Sequence, residues 1–422
     1  MSLFGAIFLN GNVVSDVTMT NVTVVNTRSL LGINSYNIFA RVEINDLYIE
    51  NADTIEVFII SVTQTQEIIL NNVTINHNDI SSTDPTGIIH LSPLTDGTAT
   101  VSNLTVTNSN IGAKQALDYR QAGSGNITIE NVYVKNVTLG ADTKIIRTPS
   151  ISSFHLKNST FIDVKPQDLG DSTPKIVELP SIVMTNLSVF SFEDTYIENS
   201  KVGFIELLGL KSIQPLTSHF VVLNFTYTDS IMEFSHDLIS FTGVETSNNF
   251  QISLNNITMK NITFVRAGNL MNLEHQTNTT LTMDKTNFEN IVGGQVLIRS
   301  SNLQNTDLKT KVNMTDITAT SISGNSRSLI QIEEGGELYM YNSSFSNIDN
   351  TERGAVLNAG YQNGYIEVHN STFENNLSIY GGVANVQDGS VIKFFDSNIT
   401  NNFAIQSGAI QVSSDGYFEF YR

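Results

Sequence analysis

The chain of 422 residues contains no cysteine and no tryptophan, and it has only 7 prolines. Without cysteine it has no disulfide framework, no thiolate metal site and no cysteine nucleophile. Basic residues are also scarce, since 22 Lys plus Arg stand against 41 Asp plus Glu and give a net charge of −19. An acidic surface repels polyanions, so we expect no nucleic-acid partner. No apolar run approaches the roughly 18 residues of a spanning helix, so we expect no membrane span in this segment.

Asparagine is the residue in excess, with 48 copies, and its placement is periodic. A pattern recurs from end to end: apolar, any, apolar, any, Asx, any, any, apolar, any, Asn, as in 338–347 and 366–375. Thirteen of the fifteen residues at the Asx position, which we call the register position, are Asn or Asp. The register residues are Asn21, Asp46, Asn72, Asn103, Asn131, Asn158, Asp194, Asn224, Asn256, Lys285, Asp316, Asn342, Asn370, Asp396 and Arg422.

Three columns of apolar residues accompany this register. The positions four and two residues before it, and three residues after it, are apolar in every repeat that contains them. Apolar residues two apart are typical of strands that bury one face. A further apolar run, often led by glycine as in 381–384, supplies another strand. The apolar face of one such short repeat can be buried only against the next repeat. We therefore predict an all-β, right-handed parallel β-helix of about 15 coils.

We expect a single solenoid over 1–422, with longer, proline-containing coils at 72–224 and regular glycine-rich repeats at 316–422. The apolar segment 5–9 has the form of the glycine-led strand 408–412, which predicts a strand there and not a signal segment. Neither end supplies the polar cap that solenoids need. We therefore expect a segment of a longer solenoid, with further copies or flanking segments docking on open coil ends as partners.

The last coils carry a family resemblance. Phe373-Glu374-Asn375-Asn376 before Gly381-Gly382-Val383, and Ile399-Thr400-Asn401-Asn402 before Gly408-Ala409-Ile410, resemble the FxxN and GGA repeats of polymorphic outer-membrane-protein adhesins. More broadly, the chain resembles the pectin-lyase-like right-handed β-helix superfamily, which includes large repeat-rich protist surface proteins. The first resemblance implies adhesion at a cell surface. The second implies binding or cleavage of a polysaccharide.

The Asx residues form two columns, because Asn also recurs five residues after the register position. Asparagine tolerates left-handed turn geometry, and its amide both donates and accepts along a stack. We predict a structural asparagine ladder at Asn21, Asn72, Asn103, Asn131, Asn158, Asn224, Asn256, Asn342 and Asn370. By strand alternation we expect these side chains to point inward.

Sixteen Asn-x-Ser/Thr sequons occur, which favours a secreted glycoprotein carrying N-linked glycans. Ten of them lie in the two Asx columns, namely eight register positions together with Asn136 and Asn261. We expect the ladder to exclude glycans there. The remaining six are expected to face solvent and are the glycosylation candidates: Asn126, Asn186, Asn278, Asn313, Asn376 and Asn398.

Catalytic chemistry is not readable along the chain, so we expect no catalytic residue, no metal site and no cofactor besides the glycans. The aspartates at the register position are separated by coils with Asn or Lys there, so they cannot pair by stacking. We interpret the chain as a non-enzymatic, extracellular structural or adhesive β-helix rod of a cell-surface or fibre-forming glycoprotein, with surface glycans as possible ligands. The alternative hypothesis is a polysaccharide-binding or polysaccharide-cleaving module, and it rests on the superfamily resemblance.

Overall fold

The protein is seen here in a computed structural model. It describes residues 7–9, 16–26, 31–33, 39–52, 58–79, 87–94, 96–112, 115–119, 125–140, 143–148, 151–166, 175–179, 188–208, 217–232, 238–242, 249–265, 269, 271–274, 279–293, 298–301, 309–325, 327–350, 353–360 and 362–422. Over these residues every helix or strand is a β-strand. The chain divides into two compact units, Met1–Ile213 and Gln214–Arg422.

The first unit contains fifteen strands. They are β1 (Ile7–Leu9), β2 (Asp16–Val25), β3 (Leu31–Ile33), β4 (Phe39–Glu50), β5 (Ile60–Thr63), β6 (Thr65–Asn76), β7 (Gly87–Ser92), β8 (Thr98–Asn110), β9 (Gln115–Tyr119), β10 (Asn126–Leu139), β11 (Lys144–Arg147), β12 (Ser153–Pro166), β13 (Lys175–Leu179), β14 (Ser188–Glu198) and β15 (Gly203–Leu208).

The second unit contains twenty. They are β16 (Thr217–Met232), β17 (Ile239–Thr242), β18 (Asn249–Phe264), β19 (Met271–Glu274), β20 (Thr279–Val292), β21 (Ile298–Ser301), β22 (Lys311–Asn325), β23 (Ile330–Glu333), β24 (Glu337–Tyr341), β25 (Ser344–Asn350), β26 (Leu357–Gly360), β27 (Tyr365–His369), β28 (Thr372–Glu374), β29 (Leu377–Tyr380), β30 (Ala384–Val386), β31 (Val391–Phe395), β32 (Asn398–Thr400), β33 (Phe403–Gln406), β34 (Ile410–Val412) and β35 (Tyr417–Tyr421).

In the first unit the strands alternate between two parallel sheets. The short odd-numbered strands β1 to β15 pair in chain order, and so do the long even-numbered strands β2 to β14. Each long strand therefore opens a new coil, which stacks on the preceding coil. The predicted first strand is confirmed, since Ile7 in β1 pairs with Leu31 in β3.

The second unit repeats this arrangement. Its short-strand sheet runs β17, β19, β21, β23, β26, β30 and β34, all parallel. Its long strands β16 to β22 give way to separate shorter strands, which pair as β22–β24–β27–β31–β35 and β25–β28–β32. Counted by the strand that opens each coil, the two units hold seven and eight coils.

Each unit is thus an all-β, right-handed parallel β-solenoid, which confirms the predicted fold class. This is also the architecture that the pectin-lyase-like resemblance implied. Continuity of one solenoid over 1–422 stays a prediction.

The three apolar columns form the core, as the sequence predicts. Residues four before the register position are at most 2% exposed from Val42 to Ile392. Residues two before it are at most 4% exposed from Ile44 to Phe394, and so are residues three after it from Ile49 to Phe373. Full burial of such a side chain contributes roughly 1.5–3 kcal/mol, so this stacked apolar interior is the main source of stability.

Each coil before the last turns at two residues held in the left-handed region of backbone conformation. All fourteen register residues from Asn21 to Asp396 have φ between 47° and 57°, and so do all fourteen residues five positions later, from Asn26 to Asn401, with φ between 47° and 55°. Asn and Asp enter this region at lower cost than other residues with a Cβ. The excess of asparagine therefore follows from the corners of the coil.

Side-chain amides connect successive corners. In the first unit Nδ2 of one register residue donates to Oδ1 of the preceding one: Asn72 to Asp46 at 2.8 Å, Asn103 to Asn72 at 2.8 Å, Asn131 to Asn103 at 2.9 Å and Asn158 to Asn131 at 2.7 Å. In the second unit Asn256 donates to Asn224 at 2.8 Å. The second column repeats the bond, as from Asn136 to Asn108 at 3.1 Å and from Asn261 to Asp229 at 2.7 Å.

The expected direction of the ladder side chains was wrong. All nine predicted ladder asparagines are exposed. Strand alternation holds only while the backbone stays extended, and the left-handed residue interrupts it. Leu70 and Val73 are both buried, and the exposed Asn72 lies between them at the corner. The corner asparagines therefore form an outer edge of each coil.

The one lysine in the register column provides a test of the corner chemistry. Lys285 has φ 48°, and its Nζ lies 3.7 Å from Oδ2 of Asp284. Left-handed geometry costs an ordinary residue about 1–2 kcal/mol, and lysine has no amide to continue the ladder between Asn256 and Asp316. We expect Lys285→Asn to stabilise the protein by roughly 0.5–1 kcal/mol, measured as a higher urea midpoint of unfolding.

Lys285→Ala is the matched control, because it removes the same charge and the contact with Asp284 without favouring left-handed geometry. An equal rise in the urea midpoint for both variants would contradict this account of the corner.

Candidate functional site

The short-strand sheet of the first unit carries a row of polar and charged residues. Its register places Ser61, His90, Asp118 and Arg147 at successive positions on β5, β7, β9 and β11, and continues to Glu178 on β13. The apolar residues on either side of the row, such as Ile89 and Leu91 beside His90, are fully buried in the core. Because neighbours in a strand point to opposite faces, His90 lies on the outer face of this sheet.

His90 and Asp118 form the centre of this row. Nδ1 of His90 lies 3.4 Å from Oδ2 of Asp118, and the two side chains are 10% and 0% exposed. The ring of Phe58 stacks on the imidazole with centroids 4.1 Å apart. Gly87 leaves room for the aspartate, since a Cβ there would lie 2.5 Å from Cβ of Asp118. A histidine that lies beside a buried carboxylate and stacks on an aromatic ring is a candidate for proton transfer.

This row was missed in the sequence because it lies in the short strands, whose distance from the second corner varies. Gly87 follows the corner at His77 by ten residues, whereas Gln115 follows Asn108 by seven. The polar residues of the short strands therefore do not lie at a fixed spacing from the register position. The available signal is the polar residue enclosed by apolar ones, as in Ile89-His90-Leu91 and Leu117-Asp118-Tyr119.

The second unit contains a polar cleft on its short-strand sheet. Two adjoining hollows of about 350 and 380 Å³ share Arg353, Tyr380 and Gln387. The residues of the first hollow are Arg327, Ser328, Gln331, Arg353, Asn358, Tyr380 and Gln387, and those of the second are Arg353, Tyr380, Asn385, Gln387, Asp388, Gln411, Ser413 and Ser414. We call this surface the arginine cleft.

A row of four amides lies along the arginine cleft. The strand register places Gln331, Asn358, Asn385 and Gln411 side by side on β23, β26, β30 and β34. Nδ2 of Asn385 donates to Oδ1 of Asn358 at 2.7 Å, and both side chains are buried. Among the described residues, Oε1 of Gln331 is a buried acceptor with no hydrogen-bond donor, although the residue is only 5% exposed. The four amides therefore line the floor of the cleft.

Two charged residues that line this cleft, Arg353 and Asp388, are exposed. Nη1 of Arg353 donates to Oε1 of Gln387 at 2.7 Å. Gly354 follows it with φ 60°, and a Cβ at this glycine would lie 2.3 Å from the carbonyl oxygen of Leu357. The tight turn at Gly354 thus fixes the backbone that carries the guanidinium.

A different outer face, on β24, β27, β31 and β35, carries stacked aromatic rings. Tyr341 and His369 have centroids 5.0 Å apart, His369 and Phe395 are 4.6 Å apart, and Phe395 and Tyr421 are 4.6 Å apart, all nearly parallel. The two inner rings, His369 and Phe395, are covered on both faces by neighbouring rings. These two residues therefore offer no open ring face on which a sugar could pack.

The same face also carries carboxylates that accept hydrogen bonds from neighbouring side chains. Nζ of Lys393 lies 2.9 Å from Oε2 of Glu419, and the hydroxyl of Tyr417 donates to Oε1 of Glu419 at 2.5 Å. Hydrogen bonds from Tyr417, Tyr421 and Lys393 lower the pKa of Glu419 from 4.5 to about 2. A hydrogen bond from Tyr365, followed by one from His369, likewise lowers the pKa of Glu367.

The depressed pKa of Glu419 predicts a pH dependence. A carboxyl whose pKa is lower in the folded state contributes stability above its unfolded pKa, and this contribution is lost as the pH falls towards the folded pKa. We expect the urea midpoint of the wild type to fall between pH 4.5 and about pH 2 more steeply than that of Glu419→Gln. Glu374→Gln, at an exposed glutamate, is the control and should follow the wild type. Parallel curves for all three proteins would refute this role of Glu419.

The predicted glycosylation candidates do not share one environment. Asn126 and Asn398 are exposed and Asn313 is half-buried, while Asn186 and Asn278 lie outside the described residues. Asn376 is 1% exposed, so its expected exposure to solvent was wrong. It follows the left-handed Asn375, and the corner turns it inward, where its Oδ1 accepts from the backbone N–H of Ile348 at 3.1 Å. Occupancy of the other candidates stays a prediction.

The described residues contain neither a cluster suited to a metal ion nor a helix that could span a membrane. Over these ranges no group of three or more His, Asp or Glu side chains is placed to hold a metal ion. Over the same ranges no helix is long and apolar enough to cross a membrane.

Comparison with known proteins leaves the family open. No protein-family model matches the chain, and no curated protein matches it at a significant level. Among solved structures it is similar to the A-module of the mannuronan C-5 epimerase AlgE6 from Azotobacter vinelandii, with 11% identity, 90% of each chain covered and a TM-score of 0.23. It is also similar to the PL6 family alginate lyase AlyGC, with 9% identity, 96% of this chain and 97% of that chain covered, and a TM-score of 0.19. Scores this low carry no argument about activity or substrate.

Proposed function

We propose that the chain is a non-enzymatic, extracellular adhesive β-solenoid of a cell-surface or fibre-forming glycoprotein, and that the arginine cleft binds its polysaccharide ligand. The observation that carries the proposal is a polar cleft that crosses consecutive coils and combines a row of amides with Arg327 and Arg353. A linear polysaccharide repeats its hydroxyl groups along one direction. A row of amides repeated from coil to coil is a complementary surface for such a chain.

The lining of the cleft favours an acidic polysaccharide. Amide side chains donate to and accept from hydroxyl groups, and a guanidinium binds a carboxylate or sulfate through two parallel hydrogen bonds. Arg327 and Arg353 both line the first hollow, in a protein whose net charge is −19. The rest of the surface repels an acidic ligand. Binding therefore depends on ligand charges that lie opposite these two arginines.

The extracellular part of the proposal is supported by the sixteen sequons, and the adhesive part by the resemblance of the last coils to adhesin repeats. Docking of a further solenoid segment on an open coil end, the partner expected from the sequence, stays a prediction.

Removal of the exposed guanidinium tests the cleft. Loss of a charge-assisted hydrogen bond costs about 1.5–3 kcal/mol, so we expect Arg353→Ala to weaken binding of an acidic polysaccharide roughly 10- to 100-fold. The measurement is titration calorimetry with alginate, pectate and a sulfated glycan, preceded by a glycan array. Arg41→Ala is the matched control, since it removes the same charge from the first unit, where Arg41 lies near Glu43 and Glu67. Equal weakening by both variants, or no binding by the wild type, would refute the proposal.

A second candidate function, cleavage of a polysaccharide, is favoured by the row in the first unit. His90 is placed to transfer a proton, Asp118 to hold its ring, and Arg147, next in the row, to neutralise a sugar carboxylate. This arrangement differs from the arginine cleft, which is suited to binding.

Turnover separates the two candidates. If the first unit is catalytic, the wild type releases new chain ends from an alginate or pectate panel, and His90→Ala and Asp118→Asn each abolish this release. His155→Ala is the control, since that histidine lies on β12 with its Nε2 2.8 Å from Oγ of Ser153. Absence of turnover by the wild type on the whole panel would refute the cleavage candidate, and the binding proposal would then be the one that remains.

A further inference from the structure

The corner asparagines form an exposed outer edge that carries most of the sequons. Ten of the sixteen sequons lie in the two corner columns, and every one of these ten asparagines is exposed and has a φ near 50°. The sequence had excluded them on the expectation that they point inward. Their exposure removes the steric objection to a bulky substituent.

We infer that the corner asparagines are N-glycan acceptors, so that glycans stand along the edges of the coils. The inference rests on the proposed extracellular function, since it requires a glycosyl diphosphate donor of the secretory pathway. In the transfer, a bond forms between Nδ2 and the anomeric carbon of the sugar. The bond from that carbon to the diphosphate oxygen breaks, the diphosphate leaves, and Nδ2 loses one of its two protons.

The ladder and the glycan are compatible at one asparagine. Nδ2 carries two hydrogens, and the ladder uses one of them, as in Asn136 donating to Asn108 at 3.1 Å and Asn158 donating to Asn131 at 2.7 Å. Glycosylation replaces one N–H bond and leaves the other. The modified amide therefore still donates to the preceding coil while the sugar extends into solvent.

Spacing within a column limits which sites are filled together. Nδ2 of Asn103 lies 2.8 Å from Oδ1 of Asn72, and Nδ2 of Asn256 lies 2.8 Å from Oδ1 of Asn224. Both members of each pair carry a sequon. Two glycans on adjacent rungs occupy the same space, so each pair accepts one glycan. Asn342 and Asn370, at the corners of consecutive coils, also both carry a sequon, and we treat them as a third pair.

Other corner sequons have no neighbouring sequon in their column. Asn136 lies between Asn108 and Asp163, Asn158 lies between Asn131 and Asp194, and Asn261 lies between Asp229 and Asn290. None of these flanking residues begins a sequon. We therefore expect isolated sites to be fully occupied, in contrast to the paired ones.

The buried Asn376 is an internal negative control. Its Nδ2 donates to the carbonyl oxygen of Phe345 at 3.2 Å and to Oδ1 of Asn402 at 2.8 Å, which uses both amide hydrogens. A glycan at this position would break a buried hydrogen bond and displace the core. We expect no glycan there in folded protein.

The test is site-by-site glycan occupancy on the full chain, secreted from eukaryotic cells behind a heterologous signal sequence. Enzymatic deglycosylation in heavy-oxygen water marks each occupied asparagine, and intact-protein mass gives the number of glycans per molecule. We expect near-complete occupancy at Asn136, Asn158 and Asn261, occupancies summing to no more than one within each pair, and none at Asn376.

A variant isolates the pairing rule. Thr105→Ala destroys the sequon of Asn103 but keeps its ladder amide, so occupancy of Asn72 should rise to that of an isolated site. Thr100→Ala, on the outer face of the same strand and outside any sequon, should leave Asn72 unchanged. A peptide with glycans on both Asn72 and Asn103 would refute the pairing rule.

Two further outcomes separate this inference from the proposal on which it rests. Glycans confined to Asn126, Asn313 and Asn398 would overturn the corner assignment and leave the extracellular function standing. Protein purified from its native source with no glycan on any sequon would overturn the extracellular function itself.

Discussion

Two residues in each coil are held in left-handed backbone geometry, and the stacking of both solenoid units depends on them. Because the corners recur at the same positions in every coil, the strands between them keep a common register. The common register brings the apolar columns into contact and buries them. A corner residue without Asn or Asp chemistry, such as Lys285, is tolerated because its neighbours in the stack already determine the turn.

Much of this architecture was predictable because it is periodic. The three apolar columns and the two Asx columns recur at fixed offsets, so the strands and the corners could be predicted from the sequence. The direction of the ladder side chains was not predictable from alternation, since the left-handed residue restarts the alternation at each corner. For the same reason Asn376, one residue beyond its corner, is buried although its sequon marked it as exposed.

The candidate sites were not predictable, because they lie beyond the variable part of each coil. His90, Asp118 and Arg147 are separated by 28 and 29 residues, yet segments of different length lie between them and their corners. A loop absorbs extra length without moving the strand that follows, since that strand is positioned by pairing with the coil below it. The amides of the arginine cleft were missed for this reason as well. Rows of polar residues enclosed by apolar ones are the pattern through which such sites become visible.

The ladder also has a direction. Within a bonded run each amide donates towards the preceding coil, so the side-chain dipoles align along the stack. A carboxylate cannot donate, and Asp46 and Asp229 both stand at the accepting first rung of a bonded run. There the negative charge meets the positive end of the aligned dipoles, as an anion does at a helix N-terminus. The pKa of Asp229 is accordingly lowered, first by the hydrogen bond from Asn261. Asp46 and Asp229 thus each stand where a run of amides begins, and the aligned side-chain dipoles give this edge a polarity like that of a helix.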